Sequence, residues 1–227
     1  MGMFLSLSSV IGKNQEEVIK SLRKYAQSAN GGLELQSLSL NHGNCAVIGE
    51  SNGNTTIYNP NAFLDWDESS AFISKDLNAP VFSFHIHDGD FWMYTLFVNG
   101  QPVDHFNPIP DYFDDNVSEE ELNAFKGNVQ TIARFVLSVD IKNIENYLIR
   151  WDLDKENVKA YPDDEFANED WQLLDFMRKL GLAYPIDNHG KPNGQVYKLW
   201  TQNLPLKPDV YGTSINKELK KHWWKFW

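Results

Sequence analysis

Long hydrophobic runs are missing from this chain: runs such as Ala46 to Ile48 or Phe135 to Leu137 fall far short of the roughly 18 residues that span a bilayer. No transmembrane helix is expected. Cysteine is nearly absent as well, and the one thiol, Cys45, has no second cysteine with which to close an internal disulfide. That usage suits a reducing compartment, so a cytoplasmic location is expected. Positive charge is scarce, with 20 Lys and Arg against 31 Asp and Glu and a formal charge of −11. Nonspecific binding to nucleic-acid phosphates needs a basic surface, and nucleic acid is not an expected partner. The chain also lacks a glycine-rich phosphate loop, a Gly-x-Ser-x-Gly nucleophile elbow, and a basic segment leading into an apolar one at its N-terminus. Nucleotide chemistry, serine-hydrolase chemistry and a secretory signal are therefore not expected.

What remains is enough to fold. A hydrophobic share of 42% and an aromatic share of 14% supply the apolar surface whose burial offsets the entropy of ordering a chain. With 227 residues the chain can build one large structural domain. Residues 1–110 read as a sheet region and residues 111–227 as a helical and loop portion packed on it.

The first region reads as a duplicated unit. Gln15 to Ala29 has Val18, Leu22 and Tyr25 spaced for one helical face, Asn14 as N-cap and Gly31-Gly32 as its stop. Strand patterns follow at Leu33 to Leu40, Cys45 to Ser51 and Asn54 to Tyr58. The second unit repeats this with a helix from about Ala62 to Leu77, then strands at Val81 to His87, Phe91 to Val98 and Gln101 to Phe106. Each unit carries an Asn-Gly hairpin signal, Asn52-Gly53 and Asn99-Gly100, and each ends in an aromatic-Asn-Pro sequence at Tyr58 and at Phe106. Met3 to Val10 adds a leading strand. The expected class is α+β: a largely antiparallel sheet of order β-αβββ-αβββ with the helices on one face. The paired βαβββ modules of the vicinal-oxygen-chelate proteins have a similar order. Their metal ligands come from outer strands, and Met3 to Val10 contains no His or Glu.

Past Pro110, Ser118 and Glu121 form a capping-box signature, and Ile141, Ile144, Tyr147 and Leu148 mark an apolar face. Asn168 precedes a further helix through Trp171, Leu174, Met177 and Leu180 that Gly181 ends. A strand is read at Val196 to Trp200.

One segment concentrates chemistry-bearing residues. If Asp88-Gly89 makes a two-residue turn, His87 lies opposite Asp90, His85 opposite Trp92 and Ser83 opposite Tyr94, and the next hairpin sets His105 beside Tyr94 and Asn107 beside Trp92. Alternation then sorts Phe82, Phe84, Ile86 and Phe106 to a core face, with Asp104 falling there too. The other face gathers His85, His87, Asp90, Trp92, Tyr94, His105 and Asn107, a binding surface of aromatic area and directed polarity. The metal alternative uses His85, His87 and Asp90. Against it, the run reads His-x-His-Asp-x-Asp and lacks the closing Asp-His pair of the metallo-β-lactamase-like hydrolases it resembles. Asp152, Asp154 and Glu156 open like a calcium loop, but Asn157 stands where the turn requires glycine.

The chain ends in a different key. Lys217, Lys220, Lys221 and Lys225 are interleaved with Trp223, Trp224, Phe226 and Trp227. Docking of these aromatics on the body is expected rather than membrane contact. With an acidic body and no catalytic motif, the functional expectation is a non-enzymatic binding protein: an inhibitor, an immunity-type protein or a chaperone-like protein. It would need no cofactor, and its partner would be a protein with a basic surface. A metal-dependent hydrolase is the alternative.

Overall fold

The computed structural model describes residues 3–36, 44–112, 116–137, 139–152 and 157–206. Its frame is a mixed helix-and-sheet architecture around one eight-stranded sheet in which every pairing is antiparallel. The strands are β1 (Leu5–Val10), β2 (Gly32–Leu35), β3 (Cys45–Ser51), β4 (Asn54–Tyr58), β5 (Val81–His87), β6 (Phe91–Val98), β7 (Gln101–Phe106) and β8 (Gln195–Trp200), in the order β2-β8-β3-β4-β1-β5-β6-β7. The leading strand β1 is buried along its whole length because it lies between β4 and β5.

Two helices cover one face. Helix α1 (Gln15–Ser28) starts at the Asn14 capping box, where the Asn14 side chain accepts from the Glu17 N–H and the Glu17 carboxylate accepts from the Asn14 N–H. Its Val18, Leu22 and Ala26 pack with Ile48, Ile57 and Ile73 of β3, β4 and α2 (Trp66–Leu77). The opposite face is also covered. Residues past Pro110 place α3 (Glu119–Ala124), α4 (Val129–Phe135), two 3-10 turns at Ile141–Asn143 and Glu145–Tyr147, and α5 (Gln172–Lys179). Ile132, Tyr147 and Phe176 from this portion meet Leu7, Phe84 and Trp92 of the sheet. A sheet with helices on one face is thus only half of the arrangement.

The apolar face read around Ile141 to Leu148 folds as the two 3-10 turns rather than a helix. Asn168 does not cap α5; its side chain accepts from the Val158 N–H at 2.6 Å. Both halves of the first region run helix then three strands, but their pairing differs. Strand β8 inserts between β2 and β3, so the β5-β6-β7 meander has no counterpart in the first half. Gly31 makes room for that insertion: a Cβ there would sit 1.8 Å from the Trp200 carbonyl oxygen. The expected strand continuation over residues 37–40, the calcium-like Asp154 and Glu156, and the Lys/Trp tail lie outside the described residues.

Candidate binding surface

The register of β5 and β6 decides which side chains can meet. Asp88 (φ 52) and Gly89 (φ 75) make the expected tight turn, with the Asp90 N–H donating to the His87 carbonyl at 2.9 Å. Asp90 then remains outside the ladder and His87 pairs with Phe91, His85 with Met93 and Phe84 with Tyr94. This is one residue off the expected register. A one-residue slip moves a strand's side chains to the opposite face, so Trp92 and Tyr94 join Phe84 in the core. Trp92 is 0% exposed, and its indole donates to the Gln172 side chain at 3.3 Å. Tyr94 donates its hydroxyl to Asp104 at 2.7 Å, and Asp104 also accepts from the Asn128 N–H. That pairing explains how a carboxylate occupies the core face. Burial raises the Tyr94 hydroxyl well above its ordinary range, with the Asp104 charge adding to it, and burial also raises Asp104.

A second irregularity between Leu96 and Phe97 pairs Thr95 with His105. His105 therefore stays on the α2 side of the sheet with His85, its Nδ1 3.2 Å from the Thr95 hydroxyl. Asn107 leaves the sheet and accepts from the Ile109 N–H. The seven residues read as one patch are split between a buried core, a layer beneath α2 and one end of the sheet.

In the layer beneath α2, Trp66 stacks on His85 with ring centroids 4.5 Å apart. Burial, and secondarily the nearby His87, hold His85 down at about 4, so it is neutral at pH 7. Burial raises Asp67 on the same helix, opposed by the Ser83 hydroxyl.

The sheet end is different in kind. His87 meets the Phe4 ring edge-on at 5.0 Å and the Tyr112 ring at 5.9 Å. Tyr112 packs on Phe91 and donates its hydroxyl to Asp90. Phe4 is 52% and Tyr112 39% exposed. Asp88 and Asp90 project at the hairpin tip, and the Asp170 carboxylate approaches the same turn: a Cβ on Gly89 would lie 3.8 Å from it. Burial first, then the charges of Glu169 and Asp90, push Asp170 up to about 6. Among the described residues no Lys or Arg forms an ion pair with Asp88, Asp90, Glu169 or Asp170, whereas Asp163 is paired with Arg178 and Lys179 and Asp111 with Arg150.

Of the expected site, this end retains His87 and Asp90. It adds Phe4, Tyr112 and Asp170, which sequence spacing could not connect because they come from three distant segments. The only sequence signal for Tyr112 was an aromatic residue set in an acidic run. His85 and His87 have ring centroids 5.7 Å apart, but Asp90 is engaged with Tyr112. Among the described residues no group of three or more His, Cys, Asp or Glu is placed to hold a metal ion, and no helix is long and apolar enough to cross a membrane. No family model, no curated protein and no solved structure matches this chain.

Proposed function

We propose that this chain is a non-enzymatic binding protein that engages a protein partner with a basic surface through the Phe4–Tyr112 end of its sheet. The observation that carries the reading is the combination of two exposed aromatic rings with a cluster of carboxylates that no Lys or Arg of the described chain neutralises. Carboxylates crowded in this way repel one another, and an incoming ammonium or guanidinium group relieves that repulsion. Rings beside them supply area and cation–π attraction to the same groups. Trp92 is not part of this surface. The buried thiol of Cys45 is compatible with residence in the cytoplasm.

The test is binding of a fluorescent Lys/Arg-rich peptide followed by anisotropy over a range of salt. Affinity is expected to fall with salt and to drop about tenfold in Asp88→Asn/Asp90→Asn, since each lost charge–charge contact at a surface contributes about 1 kcal/mol or less. Affinity that is unchanged in that variant would remove the surface from consideration.

A further inference from the structure

We infer that the occupant of this surface in the isolated protein is the chain's own C-terminal Lys/Trp segment, residues 217–227, which therefore competes with the external partner. The inference rests on the surface reading above and adds a named occupant.

Topology brings the two together. Residues Val196, Val47, Tyr58, Leu7 and Phe84 form one continuous cross-strand row through β8, β3, β4, β1 and β5. Each step is antiparallel, so after four steps β8 and β5 run in the same direction. Four residues beyond Val196 is Trp200, where β8 ends; four beyond Phe84 is Asp88, in the hairpin tip. Strand β8 therefore ends at the same end of the sheet that carries the acidic surface. Four strand spacings separate the two, about 19 Å. Past β8 the Asn203 amide donates to the Asp65 carboxylate at 3.1 Å and the Pro205 carbonyl accepts from the Asn44 side chain at 3.2 Å, so the last described residues stay near the start of β3, at this same end of the sheet. The stretch from 207 to 217 reaches roughly 36 Å when extended, enough to cover the gap.

Chemistry matches as well. The segment carries four lysines against one glutamate and four aromatic rings. The surface offers carboxylates that form no ion pair with a Lys or Arg among the described residues, beside Phe4 and Tyr112. Three other acidic groups compete poorly for it: Asp163 and Asp111 already have cationic partners, and Glu121 is engaged in the capping box of α3. A tethered ligand acts at an effective concentration in the millimolar range, so even a weak contact excludes a partner of similar affinity.

The experiment uses the full chain. Zero-length carbodiimide coupling joins lysines to carboxylates in contact, and peptide mass mapping of the monomer identifies the pairs; Lys24–Asp76 at 2.8 Å and Lys179–Asp163 at 2.7 Å are internal controls. Coupling of Lys217, Lys220, Lys221 or Lys225 to Asp88, Asp90 or Asp170, suppressed by high salt, is expected. Controls that couple while these lysines couple elsewhere or not at all would overturn the inference. In parallel, a labelled peptide of sequence 217–227 is titrated into the unchanged chain and into a full-length variant with all four lysines changed to glutamate. The variant is expected to bind it ~10-fold more tightly. Equal binding by both overturns the tail assignment and leaves the surface reading standing; binding by neither overturns both.

Discussion

Trp66 of α2 lies flat on His85 of β5, with ring planes 5° from parallel, and this stack makes a titratable group part of a packed layer. His85 is 8% exposed, and among the described residues no carboxylate compensates the charge it would acquire. In the unfolded chain it takes up a proton near pH 6.5, whereas in the folded chain it does so only near 4. The stability that neutral His85 contributes is complete above pH 6.5 and is lost as pH falls from there toward 4, by about 3 kcal/mol. Asp170 and Asp67, both raised, oppose this loss over part of the same range. Urea unfolding of the parent and of His85→Phe at pH 7 and pH 4.5 isolates the histidine, because the carboxylates are common to both. The variant should lose less stability on acidification; identical pH dependence would show that His85 is not the group responsible.

Trp92 is expected to behave as a core residue. It packs against Phe106 at 4.9 Å and Phe176 at 5.0 Å between ring centroids. Trp92→Ala should cost about 3–5 kcal/mol, comparable to Phe84→Ala. Chemical denaturation measures both. A Trp92→Ala protein that keeps parental stability would return Trp92 to the surface.

The difference between that expectation and the one drawn from sequence is instructive about what a sequence encodes locally. Helix α1, its Asn14 N-cap and the three positive-φ hairpin turns were legible, because caps and Asx-Gly turns act within a few residues. The existence of β1 as a leading strand and the antiparallel pairing of β5, β6 and β7 also followed from pattern, whereas the place of β1 between β4 and β5 did not. Register did not, because the hydroxyl that engages Asp90 outside the ladder belongs to Tyr112. Nor did the covering of the second face. Alternating aromatics on both faces of β6 resemble a half-exposed strand until Phe176 and Tyr147 arrive from elsewhere in the chain to bury them. For the same reason β8 read as an isolated strand: its neighbours β2 and β3 lie more than a hundred residues earlier.

The insertion of β8 gives a separate expectation. A methyl group on Gly31 would overlap the Trp200 backbone, which cannot move without separating β2 from β8. Gly31→Ala should destabilise the fold by roughly 1–3 kcal/mol, and hydrogen exchange should show loss of protection in β2 and β8 first. Uniform loss across β5 and β6 instead would mean that the strained contact lies elsewhere.

Asp170 links stability to the proposed function. Its carboxylate accepts from the Trp171 N–H at 2.9 Å, an interaction that Asn can reproduce, while its charge is disfavoured by burial and by Glu169 and Asp90. Because its folded-state value of about 6 lies above the ordinary carboxylate range near 3.9, ionised Asp170 weakens the fold at pH 7, and the penalty disappears as pH falls through 6 toward 4. Asp170→Asn should therefore raise stability at pH 7 by roughly 1–3 kcal/mol and leave it unchanged below pH 4. Binding of a basic peptide should weaken in the same variant, since the charge that strains the free protein is one that a cation neutralises in the complex. Thermal or urea unfolding at two pH values and peptide anisotropy give the two readings. A gain in stability with undiminished binding would show that Asp170 is a strained carboxylate outside the partner's reach, whereas loss of both would make it a structural acceptor for the start of α5.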